Sequence, residues 1–290
     1  MKKFLPAAGL LLLAACTEKG YDVTPRVEGG DTTYMAAAVE PAQARVVMVE
    51  EFTGVTCPNC PTGHAIMAQQ KSQNPGRVLA VSYYPNGIPQ ARPVDGHTSE
   101  DFRTADATDI GSSIFGGVPG LPCAGIDRVP VGGITLPNFT AWAGAIATRM
   151  NVAAPANVTV TSEWQSGDRT AIIRVRVAYT AAVAKKQALT VLLTEDDVVD
   201  AQEKNDTAGV VVIPDYNFKH VLRDALTQAT GEPMLDEFAT KEPRRVYERT
   251  FVFQVSDKWK AENCKVIAFV HNAESGDKEV VQAAEGKLKE

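Results

Sequence analysis

The stretch Val49-Glu50-Glu51-Phe52-Thr53-Gly54-Val55-Thr56-Cys57-Pro58-Asn59-Cys60-Pro61-Thr62-Gly63-His64 decides how this 290-residue chain reads. Arg45 to Phe52 is a β-rich run. The two-residue period of a strand sets Val47, Val49 and Glu51 on one face and Glu50 on the other. Thr53 to Thr56 reads as a turn. Cys57-Pro58-Asn59-Cys60-Pro61 then opens a helix running to about Gln73, since proline is tolerated in a first turn whose amides lack intrahelical partners.

A Cys-x-x-Cys at the passage from strand to helix is a redox signal in an α/β setting. The helix start favours a thiolate at Cys57, the candidate nucleophile. Cys60, deeper in the helix, is the resolving thiol. Glu51 aims a carboxylate into the interior, where burial raises its pKa and lets it exchange the Cys60 proton. Glu50, on the opposite face, is expected to be the solvated carboxylate. His64, one turn past Cys60, either reaches the thiolate or lies at the surface. Cys57, Cys60, His64 and Cys123 also have the ligand types of a zinc site. The redox spacing explains the same residues without a metal, so neither metal nor cofactor is expected.

Upstream, Lys2 and Lys3 precede an apolar run, Phe4 to Ala15, too short to span a membrane. It ends Leu13-Ala14-Ala15-Cys16, so residues 1–15 read as a lipoprotein signal peptide with Cys16 as the acylated anchor. Residues 16–42 read as anchor and flexible tether. The expected location is the outer membrane, lipid-anchored. Loss of Lys2 and Lys3 takes the formal charge from −6 to −8, and no basic patch suggests nucleic acid.

Downstream, Arg77 to Tyr84 reads as a strand, Ser99 to Ile114 as helical, Cys123 to Arg128 as a short strand with a second near Val129 to Ile134, and Pro137 to Met150 as a helix. Asn151 to Ala156 is a linker. Beyond it strands dominate, among them Ala171 to Tyr179 with Arg174 and Arg176 outward, and Asp196 to Gly209 reads as a long exposed loop. The expectation is an α/β domain over residues 43–151 followed by an all-β sandwich over residues 156–290.

The quoted stretch, with His220-Val221-Leu222-Arg223-Asp224-Ala225-Leu226, resembles the 28-kDa outer-membrane lipoprotein family of Gram-negative bacteria. The resemblance implies a thioredoxin-like domain and an immunoglobulin-like β-sandwich. It also implies a cis-proline facing the cysteines, placed at Pro122 because the strand from Cys123 follows directly. Cys123 then lies near the pair, as a buried hydrophobe or a third redox thiol. Cys264 has no assigned role.

Two functions fit. One is a membrane-anchored thiol-disulfide oxidoreductase acting on protein thiols or disulfides, with Cys57, Cys60, Glu51 and Pro122 at its site. The other is a non-catalytic lipoprotein, for adhesion or envelope structure, with the cysteines as a structural clip and the β-domain meeting a protein or glycan. An exposed Cys57 favours the first, a buried pair the second.

Overall fold

The computed structural model describes residues 26–289. The expected signal peptide over residues 1–15 and the expected anchor Cys16 lie outside the described residues. The elements are β1 (Arg26–Met35), β2 (Val47–Phe52), α1 (Cys60–Gln73), β3 (Val78–Tyr83), α2 (Ala105–Ser113), β4 (Cys123–Ile126), α3 (Trp142–Arg149), β5 (Ala156–Gln165), β6 (Thr170–Tyr179), β7 (Gln187–Glu195), β8 (Val198–Asp206), β9 (Gly209–Phe218), β10 (Val221–Ala225), β11 (Glu232–Met234), β12 (Arg245–Gln254), β13 (Cys264–Asn272) and β14 (Val280–Lys287). The fold is mostly β. Among the described residues no helix is long and apolar enough to cross a membrane.

Two sheets pack as a sandwich. A four-stranded sheet runs β1-β12-β6-β5, and an eight-stranded sheet runs β14-β13-β7-β10-β3-β2-β4, with β11 beside β7. Strand alternation builds the core between them. Ile173, Val175, Val177 and Tyr179 of β6 face Leu189, Val191 and Leu193 of β7 and Val266, Ala268 and Val270 of β13. Arg174 and Arg176 of β6 point outward and pair with Glu163 and Glu40.

The large sheet takes strands from both sides of the linker. β2 and β3 are parallel, in register from Val47↔Val78 to Phe52↔Tyr83, and α1 connects them. β4 flanks β2 antiparallel. On the other edge β3 meets β10 at the single pair Val221↔Ser82, and β10 continues into β7. A buried ionic hub also crosses the linker. Asp127 accepts from Arg45 Nε at 3.0 Å, from Arg149 Nε at 2.9 Å and from the Met48 amide at 2.8 Å. Arg45 and Arg149 extend to Glu279, and Arg45 donates to the Val280 carbonyl.

β2 is covered on both faces. Val47 and Val49 pack with Met67 of α1 and Trp142 and Ile146 of α3, while Met48 and Phe52 pack with Ala107 and Ile110 of α2. The alternation therefore has no wet side, which corrects the expectation for Glu50. It is fully buried, paired with Arg128 through 2.7 and 2.9 Å contacts, and accepts from Tyr83 Oη at 3.1 Å.

Other expectations change as well. The tether ends early, because β1 pairs with β12. The α1 helix begins at Cys60, with Asn59 as its cap residue, so Cys57 and Pro58 sit in the preceding turn. Helix α2 starts only at Ala105, where the Thr104 side chain accepts from the Ala107 amide. Val129 to Ile134 holds one isolated bridge, Val131↔Ile134. Asp196 to Gly209 is not a free loop. It contains β8, which pairs with β9 as a separate two-stranded ribbon.

Candidate functional site

Two glycines shape the approach to the cysteines. A Cβ on Gly54 would sit 2.1 Å from the Gln90 carbonyl oxygen, so glycine is what lets the turn after β2 pack against the 89–91 segment. A Cβ on Gly63 would sit 3.0 Å from the Trp142 ring and 3.1 Å from Glu51 Oε1. Gly63 therefore lets the first turn of α1 lie directly on the Glu51 carboxyl. A glycine inside a helix costs about 1 kcal/mol against alanine. That cost was the sequence signal for a close approach, and sequence reasoning missed it.

Cys57 and Cys60 form a disulfide. Cys60 is the first residue of α1, fully buried, and Cys57 is only 3% exposed. The Leu121–Pro122 peptide bond is cis, and Pro122 is buried immediately before β4. Cys123 pairs in register with Phe52 and is a free, buried thiol. Burial, and then the Glu51 carboxyl, push Cys123 up to about 12, so the thiol is protonated at neutral pH. Cys264 is likewise free and buried, in the sandwich core, and burial pushes it up to about 12.

Glu51 is 1% exposed, and its Oε1 has no hydrogen-bond partner. Burial pushes the carboxyl up to about 8. His64 does not turn toward the cysteines. Its Nε2 lies 2.9 Å from Thr53 Oγ1 and 3.7 Å from Glu51 Oε1, and its Nδ1 lies 2.9 Å from Tyr216 Oη. Burial, and then the charge of His220, pull the imidazole down to about 4. At neutral pH the Glu51–His64 contact thus joins a carboxylic acid to a neutral imidazole, not two ions.

Glu51, His64 and Tyr216 line a cavity of 570 Å³ between α1 and β9, at the C-terminal ends of the parallel strands β2 and β3. Its other walls include Pro61, Ala65, Met67 and Ile213. Among the described residues no group of three or more His, Cys, Asp and Glu side chains is arranged to hold a metal.

The β8–β9 ribbon covers the cysteines. The Glu203 amide donates to the Val55 carbonyl at 2.8 Å and the Asn205 amide to the Pro58 carbonyl at 3.1 Å. Gln202 Nε2 donates to the Gly54 and Cys57 carbonyls at 3.2 and 3.3 Å, and Asn205 Nδ2 to Asn59 Oδ1 at 2.7 Å. Sequence reasoning named neither Gln202, Asn205 nor Tyr216. All three lie some 150 residues from the cysteine motif, Gln202 and Asn205 in a polar run without periodicity.

No curated protein matches the chain. Among solved structures, HBP35 of Porphyromonas gingivalis is similar at 18% identity and a TM-score of 0.65, over 86% of this chain and 77% of that one. A structural-genomics protein from Agrobacterium tumefaciens is similar at 16% identity and a TM-score of 0.50, over 84% of this chain and 95% of that one. Both likenesses concern the fold. The family model for outer membrane protein Omp28 matches residues 113–290, which leaves the cysteine pair outside the match. That match spans more than half of the chain, and the chain belongs to the Omp28 family of outer membrane proteins, at the cell envelope.

Proposed function

We propose that the protein is a lipid-anchored thiol–disulfide exchange protein of the outer membrane, acylated at Cys16. In this reading residues 43–151 form a thioredoxin-like module, residues 156–290 an immunoglobulin-like sandwich, and Cys57 and Cys60 act on envelope proteins. The observation that carries it is the buried Glu51 carboxyl, with an unpartnered oxygen, under the helix that begins with Cys60. A purely structural disulfide has no use for an unpaired buried acid, which is costly to keep. A proton carrier beside a resolving thiol does.

In the reducing direction the Cys57 thiolate attacks one sulfur of a substrate disulfide. A Cys57–substrate disulfide forms, and the released substrate sulfur takes a proton from solvent. Cys60 passes its proton to Glu51 in its ionised form, the minor form at neutral pH and the major one above about 8, and attacks the Cys57 sulfur. The second substrate sulfur leaves and is protonated. The substrate gains two electrons and the pair becomes the disulfide seen here. Run backwards, the same steps oxidise a substrate dithiol.

One observation favours the second reading, a non-catalytic lipoprotein clipped by this disulfide whose sandwich binds a protein or glycan: Cys57 is 3% exposed. Mixed-disulfide formation separates the two. Full-length Cys60→Ser, equilibrated with oxidised glutathione, is expected to gain one glutathione on Cys57, read by peptide mass. A Cys57 that is modified only after the chain unfolds refutes exchange.

A further inference from the structure

We propose that β8 is the resident occupant of a strand-docking groove beside Cys57, and that the partner which replaces it is an extended segment of another polypeptide. The proposal rests on the exchange reading of Cys57 and Cys60 and names the form of its substrate.

The contacts are those of an added strand. Glu203 and Asn205, two residues apart on one edge of β8, donate their amides to the Val55 and Pro58 carbonyls. In an antiparallel ladder successive amides point to opposite edges, so Gln202 and Lys204 face their partners Ile213 and Val211 on β9. β8 thus lies between β9 and the cysteine loop. The loop offers main-chain carbonyls, and Gln202 Nε2 of the side chain donates to two more of them, on Gly54 and Cys57. Main-chain pairing of this kind accepts any extended chain, with side chains adding selectivity.

The ribbon is anchored at its base and lightly held at its tip. At the base Asp200 accepts from the Ser99 and Glu100 amides at 2.9 and 2.8 Å, and Phe218 packs against Tyr84 and Phe102. Toward the tip Lys204, Asn205 and Asp206 are exposed, as are Val210 and Val211 across the ladder. A two-stranded ribbon alone is marginally stable in water. Lifting the tip therefore breaks a few polar contacts, with little apolar burial lost, and uncovers Cys57.

The test uses full-length Glu203→Pro, Asn205→Pro and the double variant. Proline removes the amide aimed at the loop and leaves the ladder to β9 intact, because the lost amides lie on the edge away from β9. Glu203→Ala, which keeps the Glu203 amide and the Asn205 bonds to the loop, is the control, and thermal unfolding verifies each fold. One readout is the rate at which dithiothreitol reduces Cys57–Cys60. The double variant is expected to react at least about tenfold faster than wild type, each lost bond contributing a factor of a few, with the alanine control within about twofold. The second readout is binding of reduced, carboxymethylated lactalbumin, an unfolded chain without free thiols. Tighter binding by the double variant is expected, again by about tenfold. Folded proline variants that react at the wild-type rate overturn the cap. Faster reduction without lactalbumin binding by any variant overturns the strand-docking partner. Faster reduction together with a reduction potential in the range of structural disulfides keeps the cap and removes the exchange reading on which the substrate rests.

Discussion

Glu50→Ala is expected to lower the unfolding free energy by about 3–5 kcal/mol, among the largest losses for one side chain here. Glu50 on β2 and Arg128 in the turn after β4 are both buried, joined by two hydrogen bonds of 2.7 and 2.9 Å. Tyr83 Oη adds a third donor, and the guanidinium lies 5.0 Å from the Phe269 ring. Truncation at Glu50 strands the Arg128 cation without a counter-charge, and the desolvation already suffered on folding is no longer offset. The pair itself need not be worth that much. Glu50→Leu with Arg128→Met, which removes both charges, is expected to cost markedly less than Glu50→Ala. Urea unfolding of the two variants beside wild type measures this. A Glu50→Ala loss under about 1 kcal/mol would mean that the pair is solvated, as surface pairs are.

Glu51→Gln is expected to change how stability depends on pH, by several kcal/mol across the accessible range. Burial holds the folded carboxyl near 8 against an ordinary value of 4.5, so the folded chain keeps a proton that the unfolded chain has released. Stability from this group is complete below about 4.5 and drains away as pH rises to about 8, by about 1.4 kcal/mol per pH unit. His64 acts the other way. Its folded value near 4 lies below the ordinary 6.5, so it adds stability as pH rises between those limits. The two slopes offset each other from about 4.5 to 6.5, and Glu51 alone remains from 6.5 to 8. Relative to wild type, Glu51→Gln should gain stability steadily from pH 5 to about 8 and then level off. Melting curves of both proteins along a pH series give the gap. A gap that does not move with pH would mean that Glu51 is ionised and paired in the fold.

The two neighbouring carboxylates show what the sequence made legible. Alternation along β2 put Glu51 on the face of Val47 and Val49, where α1 covers it. The same alternation misjudged Glu50, because its partner Arg128 stands 78 residues away and nothing local announces it. β2 is covered by α1 and α3 on one face and α2 on the other, so it has no wet side. The strand-to-helix passage was read one turn early: the helix was expected to open at Cys57, and α1 begins at Cys60. The cover of the cysteine pair was illegible for a physical reason: Gln202, Glu203 and Asn205 hold the loop through polar and main-chain contacts, so β8 carries no apolar rhythm. β1 was hidden similarly, since its pairing with β12 spans more than 200 residues of sequence.

The central claim is that Cys57 and Cys60 exchange electrons with other proteins, and their equilibrium reduction potential tests it most directly. The full chain in detergent is equilibrated across a series of thiol–disulfide buffers, quenched, and alkylation at Cys57 and Cys60 is counted by peptide mass. Equilibrium makes the result independent of how slowly the covered pair reacts. A potential between about −270 and −120 mV is the predicted result. A potential below about −300 mV contradicts the claim and leaves the pair as a structural clip beneath the ribbon.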